Sequence, residues 1–402
     1  MRLTILYDHR FYRGADGVIF SIQNYNYPLF ARRYLPVFDA VTILARVVEQ
    51  HNQERQGRFT EGDGVSVRAM GDWLGPAGFV RQRRAVVARL RDCIQPDTAV
   101  IMLVPGVLGT LAHADFAKRG RPYGVEVITD PHDVFAPRAN SHPGRPLFRW
   151  WYARKLRQQC AAAAAAAYVT ATALQERYPP GPQAFTTHYS SIELTAEAFV
   201  AKPPLERVGR PKDSFVLAHV GTMAQLYKAQ DDLIRALHLC VTQGLDVRLI
   251  LVGDGKHRAE LAALAAGLGL ADRVVFTGQL PAGAAVRQQL DQADLFVMPS
   301  RQEGLPRAML EAMARGLPCI GARIGGIPEL LEADNLVPVN DAAALADKIK
   351  AVLQDPARRA RMAARNLEFA TQYRAELLQA RRAALYAYLK DQTATWIKQQ
   401  QK

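Results

Sequence analysis

The chain has 402 residues, 49% of them hydrophobic and 22% charged, with a formal net charge of +13. That length exceeds what one ordinary core supports, so two domains are expected, and the composition is that of a globular protein. The positive excess points to a polyanionic partner, whether nucleic acid, an anionic membrane surface or a phosphorylated ligand, and does not choose among them.

The four cysteines, Cys93, Cys160, Cys240 and Cys319, form no CxxC pair. They read as reduced, packed thiols of a cytoplasmic protein, without a disulfide or zinc framework. The start, "MRLTILYDHRF", is too short and too soon charged for a signal peptide. No apolar run reaches the roughly 18 residues of a membrane span. The alanine run at 161–167 reads as a helix interior.

In chain order, "RLTILYD" opens as a strand and gives way to the loop "FYRGADG". Further strands are expected at "AVTILARV", "TAVIMLVPG", "YGVEVITD" and "AAYVTAT", with helical patterns between most of them. Such alternation implies a parallel sheet covered on both faces. "AKPPLERVGRPKDS", rich in Pro and charge, reads as a linker. The alternation then restarts with "SFVLAHVG", "DVRLILVGDG", "DRVVFTGQL", "ADLFVMPS" and "PCIGA". The expected fold is α/β, with two Rossmann-like doubly wound domains in series, at 1–200 and 214–375, joined by a linker at 201–213. Residues 376–402 read as a long helix that crosses back to the first domain. Ligands of such sheets bind at the carboxyl ends of the strands, where glycines collect here: Gly14 and Gly17, Gly106 and Gly109, Gly221, Gly253 and Gly255, Gly278.

The most informative stretch is "EGLPRAMLEAMARGLP", residues 303–318. Pro306 suits a first helical turn, Gly316 suits the residue past the helix end, and Pro318 stops it. The expected helix covers about 306–315. Glu303 then lies beside its N-terminus and Glu311 more than a turn inside it. The N–H groups of Gly304, Leu305 and Arg307 favour an anion there. A carboxylate next to an anion site suits a ligand that carries phosphate and hydroxyls together. A nucleotide-sugar does, with Glu303 reaching the transferred sugar and Glu311 a ribose.

"SRQEGLPRAMLEAMARGLPCIGARIGGIPELL" resembles the signature of the retaining glycosyltransferases of family 4, which have the GT-B fold; that family carries a Glu, seven residues, then a second Glu. "HVGTMAQLYKAQDDLIRAL", "LVGDG", "VVFTGQL" and "ADLFVMPS" fit it in order. The match is dense over 214–331 and looser over 1–200. The resemblance implies two domains facing each other across a cleft, the first holding the acceptor and the second the donor. It implies that Lys228 grips the donor pyrophosphate, and that backbone around Phe276 and Gly278 contacts the nucleobase. It also implies that Gly221, Gly253 and Asp254 approach the ligand, with a plain tight turn as the alternative for the glycines that flank Asp254. Gly14 and Gly17 would form the approach loop of the first domain, and His132 an active-site contact, where a hydrogen-bonded surface histidine is the alternative. Family members usually carry an arginine soon after the glycine of the first strand, and here Thr222 and Met223 follow Gly221. That departure puts donor binding and catalytic competence in question.

The implied reaction moves a sugar from a nucleoside diphosphate to a hydroxyl of a saccharide or lipid-linked acceptor, with retained configuration, in cell-envelope or exopolysaccharide synthesis. No cofactor or metal is expected: there is no Asp-x-Asp pair and no His/Cys cluster. In "NSHPGRPLFRWWYARKLRQQC", cations and aromatics alternate through residues 145–157. They suit a peripheral site on the inner face of the membrane, or else aromatics turned to the core with arginines in solvent. Rival readings are a non-catalytic nucleotide-binding subunit, or a GT-B epimerase or phosphorylase. Nucleic-acid binding rests on charge alone and is not expected.

Overall fold

The computed structural model describes residues 1–22, 25–50, 57–136, 142–204 and 214–401. Most of the expected linker, 205–213, lies outside the described residues. Packing divides the chain into two compact units. Met1–Thr129, Trp150–Tyr189 and Gln379–Lys402 form the first; Asp130–Arg149 and Ser190–Leu378 form the second. Three of the cysteines are buried and Cys93 is half-buried, all with free thiols.

The strands of the first unit are β1 (Leu3–Gly14), β2 (Ile19–Ser21), β3 (Val41–Gln50), β4 (Arg58–Phe59), β5 (Val65–Ala69), β6 (Ala99–Val104), β7 (Gly124–Val127), β8 (Ala165–Tyr168) and β9 (Phe185–His188). Its parallel pairs run β5–β3–β1–β6–β7–β8–β9. The order reverses between β1 and β6, which is the topological switch point of this sheet. Two sequence expectations need correction. β1 does not end near Asp8. It passes through an irregularity between Tyr7 and Arg10, pairs on with β3 to Gly14, and turns back into β2. Phe11, Ile19 and Phe20 are buried, and that apolar face holds the extension in place. The alanine run is not a helix interior: the helix Arg145–Ala162 ends within it, and Ala165, Ala166 and Ala167 are buried in β8 between β7 and β9. Pairing on both sides overrides alanine's helix propensity.

The helix Ala375–Gln400 packs with the first unit from Gln379 onward. Tyr386 and Tyr189 both donate to Glu126 Oε1, at 2.8 and 2.9 Å, so this buried carboxylate ties the helix to β7.

The second unit holds β10 (Ser214–Val220), β11 (Asp246–Val252), β12 (Val274–Gly278), β13 (Leu295–Met298), β14 (Cys319–Ala322) and β15 (Leu336–Val337). All pairs are parallel, in the order β12–β11–β10–β13–β14–β15. The apolar runs of β10 and β11 are buried against the helices Gln230–Thr242 and Ala342–Leu353, through Leu217, Leu249, Leu251, Leu237 and Ile349. The switch point lies between β10 and β13, whose pairing stops at Ala218 and Phe296.

Candidate active site

The expected donor residues gather along the carboxyl ends of neighbouring strands of the second unit. After β12, the Gly278 carbonyl accepts from Gly253 N at 3.0 Å. Gly253, with φ 135°, abuts the loop after β10: a Cβ there would lie 2.1 Å from the Gly221 carbonyl oxygen. Gly255, with φ 154°, abuts the same loop, 2.1 Å from Ala224 N. The glycines of "VGDG" are therefore required by loop-on-loop packing within the protein. Asp254 Oδ1 accepts from Gly255 N at 2.7 Å, and its Oδ2 pairs with Arg258 at 3.4 Å. Arg258 also donates to the Phe276 carbonyl at 3.4 Å.

The stem of Lys228 runs against Gly221, where a Cβ would meet Lys228 Cγ at 3.1 Å. Lys228 Nζ donates to Glu303 Oε2 at 2.5 Å, and Ser300 Oγ donates to the same oxygen at 3.2 Å. Both side chains of the ion pair are mostly buried, at 14% and 11% exposure. Glu303 is fixed from behind by the loop after β14. Gly325, with φ 55°, leaves no room for a side chain: a Cβ would fall 1.8 Å from the Glu303 carbonyl oxygen. Gly326 N donates to the Gly304 carbonyl at 2.7 Å. The loops after β12, β11, β10, β13 and β14 thus meet in one continuous row.

The helix after Glu303 covers Arg307–Ala314, with Pro306 at the N-cap position, just before the expected first turn. Gly316, with φ 66°, ends it, and Leu317 N closes back on the Ala312 carbonyl at 3.1 Å. Burial pushes the Glu311 carboxyl above its ordinary range, while Arg307 and Arg287 pull it down. Thr222 serves as a turn residue, its Oγ1 accepting from Ala224 N at 3.1 Å, and Met223 is fully buried in the core. No cation stands at those two positions.

Sequence reasoning missed Arg301. Its guanidinium reaches Asp231 at 2.7 and 2.9 Å, Asp232 at 2.5 Å and the Leu226 carbonyl at 2.6 Å, and its backbone N donates to the Tyr227 carbonyl at 2.7 Å. It braces the turn that carries Lys228 against the loop that carries Glu303. Burial works to raise the Asp231 carboxyl, but the hydrogen bonds from Arg301 and Arg235 outweigh it and hold it below its ordinary value. The adjacent pair "DD" in "KAQDDL", followed by a lone arginine in "SRQEG", was the available signal. His219 was also missed. Fully buried at the switch point, it bonds the Val297 carbonyl through Nδ1 at 2.8 Å, and burial drives its pKa down to about 4.

Gly14 and Gly17 belong to the first unit, in the turn that links β1 to β2. His132 lies on the short helix Pro131–Val134, capped by Asp130, and its Nδ1 accepts from Arg149 Nε at 3.0 Å. That bond leaves the proton of a neutral ring on Nε2.

Residues 214–355 match the model of the glycosyl transferases group 1 family. The 2-deoxystreptamine glucosyltransferase of Streptomyces kanamyceticus is 29% identical over 295 residues, covering 68% of this chain and 73% of that protein. A GDP-mannose-dependent alpha-(1-6)-phosphatidylinositol monomannoside mannosyltransferase of Mycolicibacterium smegmatis is 36% identical over 179 residues, 40% of this chain and 47% of that one. Among solved structures, Anabaena HepE in complex with UDP and glucose superposes with a TM-score of 0.64 at 19% identity, covering 94% of this chain and 97% of that chain. The row of loop contacts, the two-unit α/β architecture and these matches agree: residues 214–355 are a glycosyl transferases group 1 region, and the chain has the GT-B fold.

Proposed function

We propose that the chain transfers a sugar from a nucleoside-diphosphate sugar to a hydroxyl of a saccharide or lipid-linked acceptor, with retained anomeric configuration and without a metal. The carrying observation is the Lys228–Glu303 pair, set on the switch-point edge within a row of tightly packed glycine loops. A cation and a carboxylate side by side match a ligand with phosphate at one end and hydroxyls at the other. Lys228 and the amides of Gly304, Leu305 and Arg307 take the diphosphate. Glu303 takes sugar hydroxyls and Glu311 the ribose, while backbone at Phe276 and Gly278 meets the base. Gly221, Thr222, Gly253 and Asp254 complete the wall. Gly14 and Gly17 are the proposed approach loop of the first unit, and His132 is the proposed contact near the reacting carbon.

In the proposed step the bond from the sugar's anomeric carbon to the diphosphate oxygen breaks. The acceptor oxygen bonds to that carbon on the same face. The acceptor proton passes to the departing phosphate oxygen, so no protein nucleophile is needed. The protein positions the partners and stabilises the leaving charge. HepE is described with UDP and the mannosyltransferase as GDP-mannose-dependent, so the base is left open.

The phosphatidylinositol-based acceptor in the mannosyltransferase's name supports a lipid-linked acceptor and a role in cell-envelope or exopolysaccharide synthesis at the cytoplasmic face of the membrane. Among the described residues no helix is long and apolar enough to cross a membrane. On the helix Arg145–Ala162, however, Leu147 and Trp150 are 63% and 60% exposed, and Arg154 and Arg157 continue the same exposed face at helical spacing. That favours peripheral docking over the core-facing alternative. Flotation with anionic vesicles at low salt tests it, and failure to bind removes it. For the reaction, the chain is incubated with UDP-, GDP-, ADP- and dTDP-sugars, and the anomeric configuration of any product is read by NMR. Release of one nucleoside diphosphate with an inverted product would overturn the retaining step.

A further inference from the structure

His219 has no part in the reading above, yet its ring packs beside the stem of Lys228. Backbone pairing of β10 with β13 ends at Ala218 and Phe296. At the next residue the His219 ring takes over, and its Nδ1 bonds the Val297 carbonyl at 2.8 Å. A carbonyl only accepts, so Nδ1 carries the proton of the neutral ring and Nε2 the lone pair. His219 is fully buried, and among the described residues nothing donates to Nε2. A Cβ built on Gly221 would meet Nε2 at 3.0 Å and Lys228 Cγ at 3.1 Å. The lone-pair edge of the ring and the stem of the lysine thus flank one point over Gly221. The loop there is pinned on both sides. Gly221 N donates to the Val252 carbonyl at 2.9 Å, and the Thr222 carbonyl accepts from Nε2 of the buried Gln230 at 3.0 Å.

This arrangement acts on the lysine. Its stem lies beside a ring anchored to the middle of the sheet, and its ammonium is held at Glu303 Oε2. The ring also turns the negative end of its dipole to the side where the lysine runs, which favours a cation. A long side chain ordered in advance loses less freedom when a ligand takes its charge. We infer that His219 is a positioning residue for donor binding, fixing through the Lys228 stem where the ammonium meets the diphosphate. The inference rests on the donor reading above and adds to it a residue that touches no ligand.

The test uses the full chain. UDP, GDP, ADP and dTDP are titrated by calorimetry, and the nucleotide that binds is carried through His219→Asn, Lys228→Ala and the double variant. Asparagine is chosen because its Nδ2 can still donate to the Val297 carbonyl, whereas the ring edge beside Gly221 and Lys228 is gone. The expected result is a loss of affinity of roughly 10-fold in His219→Asn, and a change under about 2-fold when the same substitution is made in Lys228→Ala. A second variant keeps the ring and decides the matter if His219→Asn does not fold. Gly221→Ala sets a methyl against both Nε2 and the lysine stem, and its loss of affinity should likewise depend on Lys228. A merely structural histidine would lower the melting midpoint and leave no such coupling. Unchanged affinity, or a loss of the same size with and without Lys228, would overturn the inference while the donor reading stands. Failure of every nucleotide to bind the unmodified chain would defeat the donor reading and the inference with it.

Discussion

Lys228 Nζ and Glu303 Oε2 lie 2.5 Å apart, although 75 residues separate them in sequence. Each neutralises the other in a site that is mostly shielded from solvent. A diphosphate with an attached sugar divides the pair, phosphate taking the lysine and hydroxyls the glutamate. Glu303→Ala should abolish transfer with the fold intact, as read by turnover and circular dichroism. Lys228→Ala should lower kcat by roughly 10²–10³. Because removing one partner strands a buried charge, the Lys228→Met/Glu303→Gln double variant should melt above either single variant. Full activity in Glu303→Ala sinks the assignment.

Arg301 is 9% exposed and holds Asp231, Asp232 and the turn at Leu226 together. Arg301→Ala leaves two mostly buried carboxylates side by side, with the more exposed Arg235 still paired to them. The expected loss of stability is roughly 3–5 kcal/mol, measured by urea unfolding. Arg301→Lys should recover only part of it, because a lysine cannot reproduce the forked contact. A change under about 0.5 kcal/mol would mean the brace is not structural.

Gly325 tests the position of Glu303 without touching its carboxylate. Gly325→Ala forces the backbone off the Glu303 carbonyl, since a Cβ would lie 1.8 Å away, and strains a φ of 55°. A shift of this order at a reacting centre can cost about 100-fold in rate. We expect kcat to fall well below wild type while nucleotide binding, read by thermal shift, falls less. Unchanged kcat would show that the loop after β14 does not set the geometry.

His219 gives the acid limb of stability. Its folded pKa is lowered to about 4, and the ring is neutral inside the core. Above pH 6.5 it is neutral in both states and the contribution is complete. As pH falls below 6.5 the unfolded chain takes up the proton first, and stability drops until pH 4. The full loss is on the order of 3 kcal/mol. Chemical unfolding of the wild type and His219→Phe at pH 7 and pH 5 should show a smaller pH effect in the variant. Parallel pH dependence would show that other groups carry the acid limb.

Much of the second unit was legible in the sequence because its strands are short, largely apolar runs, most of which end in a glycine or serine loop. Those loops also carry the site, so strand order and chemistry were read together. What stayed hidden depended on long-range packing. Ala165–Ala167 carry a helical bias locally, and only pairing with β7 and β9 makes them a strand. β1 outran its expected end because Phe11 and Phe20, nine residues apart, share a buried face that no local pattern displays. Gly106, Gly253 and Gly255 were placed at strand ends correctly, but what they approach is protein. Arg301 was missed because its partners lie about 70 residues upstream.

The most direct test of the central claim is a thermal shift of the purified chain with UDP, GDP, ADP and dTDP, each with Mg²⁺ and with EDTA, repeated on Lys228→Ala. A ligand that binds the folded state raises the midpoint by mass action. The account predicts that one nucleotide raises it strongly, equally with and without metal, and that the shift largely disappears in Lys228→Ala. No shift with any nucleotide, or a shift indifferent to Lys228, would contradict it.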